Sequence, residues 1–468
     1  MPAQRQIGHV VVLMFENRSF DQLLGHLDHT GLEPVSDAVR NVETVSDAHG
    51  RSCAAHFLPS DADVSVDPGH GFDDVCRQLT EQGTPLAADH ITMGGFAQNY
   101  ARRLVDRGQD ASRACEIMGC HSADQVPALS TLAREFAVCS RWFSSVPSET
   151  WPNRLFVHAA QSDGLLTNVV KHYTHPTTFS TLSEHKISWA IYAGDIPQAA
   201  AYFDLIDAFK DRFNPLPEFF EDVRDGTLPA YSFLEPHHFL RVDSQHPTHS
   251  VILGDQLLRS VYTALSEKTE VWESVLLVVT WDEHGGFHDR EPPPGTVAPF
   301  PGMRGDRGFG FDLLGVRVPA VVVSPYIPGG TVDTQVHDHA SIVRTVFDAL
   351  GVSETLTERD AQASSVLGLL TLDLPRPKVD LPEPSPQLQM ALVAEGAPEP
   401  VELDDLQQSL LELTRQLDDH RSEALARATP ELVQAPQAAL TPGDVDLVVS
   451  HFQHEHMGNR AARLRGES

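Results

Sequence analysis

Short unbroken apolar runs recur along the chain, and amphipathic stretches separate them. The runs His9 to Phe15, Phe136 to Phe143, Ile187 to Ala193, Tyr231 to Leu234, Val275 to Thr280 and Val316 to Ser324 predict strands. Continuous apolar character over so few residues marks a strand covered on both faces, as in a parallel sheet. Helical spacing predicts helices from about Ser19, over Gly94 to Arg103, over Val126 to Phe136, after Thr150, over Val251 to Leu265 and over Val336 to Leu350, with Gly351 closing the last. Strands alternating with helices predict an α/β fold built on a mostly parallel sheet.

The pattern is sharpest in VLLVVTWDEHGGFHD, residues 275–289. An apolar run gives way to Asp282, Glu283 and His284 where the strand should end, and ligands of open α/β sheets bind beyond the carboxyl ends of strands. Two carboxylates and an imidazole offer hard oxygen ligands and a titratable group. Gly285 and Gly286 let other backbone approach closely. The plain alternative is an ordinary polar turn. The first strand ends similarly, in Glu16 and Asn17, although Asn17 and Ser19 also serve as helix caps. Thr150 lies at or just before a helix N-terminus, two residues ahead of Pro152. That is either a simple N-cap or a natural place for phosphate. Single histidines lie at His70, after a Pro-Gly turn in DPGHGF, and at His246, in SQHPTHS ahead of a helix.

Composition narrows the partners. The chain of 468 residues carries 34 Lys and Arg against 65 Asp and Glu, a net charge of -31. That balance disfavours nucleic acid and anionic lipid. The cysteines Cys53, Cys76, Cys115, Cys120 and Cys139 lack CxxC spacing, so reduced thiols are expected, with Cys115 and Cys120 the pair that spacing would allow. The apolar run near the N-terminus is too short for a signal peptide, and no stretch approaches a transmembrane span, so a cytoplasmic protein is expected unless a leader has been removed. Residues 1–374 form the expected catalytic domain, 375–400 a Pro-rich linker, and 401–468 peripheral helices and a frayed tail. Glu291 to Phe311, rich in Gly and Pro, is long enough to be a lid or binding loop, and Pro292 to Phe311 offers an apolar wall.

At this point ENRSFD, TWPNR, DEHGGFHD, RVPAVVVSPY and DHASIVRT, in that order over residues 7 to about 350, resemble the phosphoesterase family of bacterial and plant phospholipases C and one class of acid phosphatases. The resemblance implies an alkaline-phosphatase-like three-layer α/β/α sandwich. It implies one divalent metal ion on Glu16, Asn17, Asp282 and Glu283, and Thr150 as a nucleophile that becomes phosphorylated. His70 and His246 match the family's phosphate-side histidines, and His284 joins them as a candidate acid–base group. His339 matches a motif position without an evident role. An oxygen set suits Ca, Mg or Mn, with Zn the remaining choice. Ser140, Ser250 and Arg290 depart from the family's usual residues, and the C-terminal β-domains of some bacterial members have no counterpart. The expected activity is cleavage of glycerophospholipid diesters, with a phosphomonoesterase acting on small soluble phosphoesters as the alternative and a non-catalytic scaffold as the last.

Overall fold

The computed structural model describes residues 7–58, 64–81, 90–239, 242–383, 403–421, 442–458 and 460–465. Its main sheet contains, in chain order, β1 His9–Phe15, β2 Ala137–Cys139, β3 Trp189–Ala193, β4 Phe213–Pro215, β5 Tyr231–Glu235, β6 Val275–Trp281, β7 Ala320–Val323 and β8 Thr331–Asp333. Their spatial order is β8-β2-β7-β6-β1-β5-β3-β4. β1 lies at the centre, parallel to both β6 and β5. β7 runs antiparallel to β6 and β2, and the other pairings in this sheet are parallel. Every residue of β6 and all but the first of β1 are buried, the burial expected of strands covered on both faces.

Two groups of helices provide that cover. Pro127–Glu135, Val251–Glu267 and Thr269–Trp272 pack with one another, and Thr150–Ala159, Thr178–Glu184 and Ala340–Leu350 form the second group. The mostly parallel α/β/α expectation therefore holds. The predicted runs were too long at β2 and β7. The two edge strands, β4 and β8, were not predicted. Each has only three residues, too few to show alternation, and Pro215 closes β4 at an edge where a missing N–H costs no ladder bond.

The cysteine expectation is corrected. Cys53 and Cys115 are joined in a disulfide, while Cys76, Cys120 and Cys139 are free and buried. Cys53 lies on the strand Arg51–Ala54, which packs against the 3-10 helix Ala111–Met118 carrying Cys115. Cys120 instead lies on Gly119–Cys120, paired with His56–Phe57. The described end of the chain is also anchored. Arg460 and Arg463 both pair with buried Asp222.

The helix Asp405–Arg421 places Leu406, Leu410, Leu413 and Leu417 in the same core as the sheet, together with Val448 and Phe452 from Pro442–His456. Residues 384–402 and 422–441, covering most of the predicted linker and part of the segment predicted to hold peripheral helices, lie outside the described residues. The Gly- and Pro-rich stretch packs Phe309 on Phe72 and Phe311 on Phe156, so it lies against the helices that follow His70 and Thr150. Among the described residues no helix is long and apolar enough to cross a membrane.

Candidate active site

The carboxyl ends of β1 and β6 are adjacent, because Phe15 pairs with Trp281. Glu16 and Asn17 therefore leave the sheet beside Asp282 and Glu283. Asn17 takes a left-handed backbone (φ 55°), a conformation that asparagine tolerates better than most residues. Its N–H donates to Asp282 Oδ1 at 2.9 Å, and the Arg18 N–H donates to the Glu283 carbonyl at 2.9 Å. Gly285 closes this corner. Its φ is +62°, and a Cβ there would stand 2.2 Å from the Asn17 carbonyl oxygen, so only glycine lets the two turns touch.

Thr150 begins the helix Thr150–Ala159 and is buried. Its Oγ1 lies 3.4 Å from Glu16 Oε2 and 3.5 Å from Asn17 Oδ1. The helix N-terminus gives an anion less backbone than the sequence promised. The Trp151 N–H is taken by Asn168 Oδ1 at 2.9 Å, and Pro152 has none. Side chains must supply the rest of any phosphate grip.

Arg154, one turn further along, supplies the local positive charge. It pairs with Glu16, with Glu235 at 3.2 Å and with Asp282 at 3.8 Å, all buried. One guanidinium among these carboxylates, with Glu283 adjacent, leaves the corner negative. Burial, together with the charges of Asp282 and Glu283, pushes the Glu16 carboxyl well above its ordinary range despite Arg154. Asp282 Oδ2 is buried without a hydrogen-bond partner. An excess of buried carboxylate oxygen, with Asp282 Oδ2 unsatisfied among it, fits a hard divalent cation held by Glu16, Asn17, Asp282 and Glu283.

His70 and His246 face this corner from two loops, their rings 6.2 Å apart. His70 Nδ1 stands 2.8 Å from the Asn17 amide nitrogen and 3.2 Å from Glu283 Oε1. It accepts from the amide when neutral and donates to the carboxylate when charged. Its Nε2 lies 3.4 Å from Asp405 Oδ2. Burial pulls the His70 imidazole down, but Glu283 and Asp405 outweigh it and hold it well above its ordinary range. His70 in turn offsets burial and holds Glu283 down, to about 2. His246 Nδ1 donates to the Pro247 carbonyl at 2.6 Å and lies 3.5 Å from Asp404 Oδ2, while its buried Nε2 has no hydrogen-bond partner. Here too burial lowers the imidazole, and Asp404, Asp67 and Asp405 raise it further than burial lowers it.

The remaining candidates sit around this centre. His284 is tied between Gln78 at 2.8 Å and Glu283 Oε2 at 3.2 Å, so it steadies a carboxylate. His339 approaches the Asp282 carbonyl with Nε2 at 2.5 Å and receives the Trp142 N–H on Nδ1, which gives this residue a place in supporting β6. Arg18 donates to the carbonyls of Gln245 and His249 and so braces the loop that carries His246. Arg290 pairs with Asp21 and donates to the Glu33 carbonyl, away from the strand ends.

The sequence reading missed Asp404 and Asp405, which enter from the start of the C-terminal helix. It also missed Glu235, and Glu149, whose carboxyl burial pushes up to about 7. Acidic residues opening an amphipathic helix look like ordinary partners of the helix dipole, and only tertiary contact distinguishes them.

The family model described as the Phosphoesterase family matches residues 7–353. Non-specific phospholipase C1 of Arabidopsis thaliana is 34% identical over 446 residues, which cover 89% of this chain and 81% of that protein. Phospholipase C B of Mycobacterium tuberculosis is 28% identical over 445 residues, covering 80% of each. Among solved structures, one described as a protein in the alkaline phosphatase superfamily from Vibrio parahaemolyticus is 12% identical, covering 52% of this chain and 67% of that one, with a TM-score of 0.32.

Proposed function

The chain belongs to the phosphoesterase family, and from that premise we propose that it is a cation-dependent phospholipase C-type hydrolase that cleaves glycerophospholipid diesters through Thr150. The observation that carries this reading is the Thr150 hydroxyl within reach of both Glu16 and Asn17 at the strand ends. The relatives' names supply the substrate class. A divalent ion on Glu16, Asn17, Asp282 and Glu283 would withdraw charge from a phosphate oxygen and favour the ionised hydroxyl.

In this reading Thr150 Oγ1 attacks phosphorus and the bond to the glycerol oxygen breaks. His246 Nε2 gives that oxygen its proton, releasing diacylglycerol and leaving the head-group phosphate on Thr150. Water then hydrolyses the phosphothreonine. His70, held between Glu283 and Asp405, places its positive charge beside a non-bridging oxygen. His284 and His339 hold Glu283 and Asp282 in place. Although residues 401–468 form a separate segment in sequence, Asp404 and Asp405 belong to the same site.

A phosphomonoesterase is the second reading. It draws on the two histidines whose charged forms the neighbouring carboxylates favour, which suits a dianion. Against it, Arg18, Arg154 and Arg290 are all engaged with protein groups. The test compares short-chain phosphatidylcholine with p-nitrophenyl phosphate on one preparation, from acid to neutral pH. The diester is expected to give the higher kcat/KM, and about a tenfold preference for the monoester would replace the first reading by the second.

A further inference from the structure

At the end of the C-terminal helix Asp405–Arg421 that is remote from Asp405, Asp418 meets two histidines of the following helix, Pro442–His456. His456 Nε2 lies 2.7 Å from Asp418 Oδ1, and His451 Nε2 lies 3.1 Å from Asp418 Oδ2. One ligand atom from each of the three residues falls within 4.8 Å of the others. Asp418 and His456 are buried, and the His451 side chain is 18% exposed, which gives the cluster one side open to solvent. This cluster takes no part in the chemistry at Thr150, and the resemblance to phosphoesterases assigned it nothing.

We propose that Asp418, His451 and His456 form a structural site for a nitrogen-preferring divalent cation, zinc by donor type, that clips the helices Asp405–Arg421 and Pro442–His456 together. Two imidazoles and one carboxylate are a well-suited zinc donor set, and solvent at the His451 side supplies the fourth ligand. Ligand atoms around a tetrahedral zinc stand roughly 3.3 Å apart. Asp418 Oδ1 stands 2.7 Å from His456 Nε2 and 3.3 Å from His451 Nε2, so only the first of these distances needs to open, by about 0.6 Å.

Without a metal, both Nε2 atoms must carry protons to satisfy one carboxylate. With zinc, those protons leave and the same three atoms become ligands. The donor set also separates this site from the strand-end corner, where carboxylates and an amide favour Mg, Ca or Mn. Its place in the fold gives it a consequence. Asp418 lies 13 residues beyond Asp405 on the same helix, so a clip there orders the element that presents Asp404 and Asp405 to His246 and His70.

The experiment uses the full chain, stripped of metal and carrying Asp282→Asn to weaken the strand-end site, with and without His451→Gln. Zinc is added, excess is removed by gel filtration, and bound zinc and Tm are measured. The Asp282→Asn protein should retain about one equivalent of zinc and gain about 3 °C in Tm. His451→Gln, a change at a partly exposed side chain, should lose both effects. Equal zinc content and equal thermal gain in the two proteins would overturn the proposal, as would zinc binding by neither. Because His456 is buried and its replacement risks misfolding, Co(II) absorption of the His451 pair of proteins provides the second readout. A tetrahedral Co(II) spectrum that persists in His451→Gln would also overturn it.

Discussion

The site has two halves that are built differently. Glu16, Asn17, Asp282 and Glu283 emerge from adjacent central strands, and their positions are fixed by the register of β1 on β6. Thr150 and Arg154 join them from a helix packed over that sheet. His70 and His246 instead come from loops, and their carboxylate partners Asp404 and Asp405 come from the far end of the chain. Rigid elements suit the half that must hold like charges together. Loops and a docked helix suit the half that must exchange protons and admit a substrate. Changes in the first half should therefore remove chemistry or stability, and changes in the second should tune pH dependence and rate.

Thr150→Ala is the harshest test of the first half. It removes the proposed nucleophile but only a few buried atoms. A loss of about 10⁴-fold or more in kcat is expected, with a Tm close to the parent's, and Thr150→Ser should keep substantial activity. Activity near wild type in the alanine variant would break the assignment of Thr150. Next comes Asp282→Asn, which takes away an oxygen with no hydrogen-bond partner in the protein. Activity should fall by about 10² to 10³ and bound Mg or Mn should fall with it. An activity loss with no change in metal content would deny Asp282 its proposed part as a ligand.

Arg154→Met asks whether this half is held by charge balance. The substitution leaves Glu16, Glu235 and Asp282 without their shared cation. Breaking a buried pair in this way costs about 3 to 5 kcal/mol. Added Mg or Mn should recover part of the loss, because an ion on the same carboxylates replaces some of the missing charge. Urea unfolding with and without the ion measures this, and indifference to the ion would weaken the proposed cation corner.

The contrast also explains what could be read from the sequence. A buried strand run followed by DEHGG carries its own signal, because burial on both faces leaves an unbroken apolar block and the site begins where that block stops. The same holds for Val10 to Phe15 with Glu16 and Asn17. Thr150, His70 and His246 can be noticed locally, but only motif resemblance gives them roles, since a lone Thr or His in a turn has many ordinary uses. Arg154 carries no local signal, because its role depends on which carboxylates the fold brings around it. Asp404 and Asp405 were beyond reach, because nothing local in VELDDLQQSL distinguishes a helix that docks on a buried loop histidine from one that faces water. The Cys53–Cys115 bond was missed for the same reason: its partners are 62 residues apart, and spacing alone favoured Cys120.

The smallest expected effect belongs to Asp404→Asn, and it separates catalysis from stability most cleanly. Asn keeps the cap, because the Gln407 N–H that Asp404 Oδ1 accepts at 2.7 Å can be accepted equally by an amide oxygen. Burial pushes Asp404 up to about 6 even though His246 pulls it down, so the folded protein disfavours its ionised form. A raised carboxyl favours folding at low pH, and that advantage fades as pH rises from the ordinary value toward about 6. Replacing it with a neutral amide should therefore leave Tm at pH 8 unchanged or higher.

His246 has the opposite linkage. Asp404 helps hold its imidazole above the ordinary value, so the charged form adds stability below the ordinary value, and that contribution is lost as pH rises through the folded-state value. Removing Asp404 lowers that value, and the proton needed by the leaving alcohol is lost earlier. The alkaline limb of kcat/KM should move down by about one pH unit, with a roughly threefold to tenfold loss at pH 8. A falling Tm with an unmoved alkaline limb would make Asp404 a purely structural cap and return the second half of the site to its histidines alone.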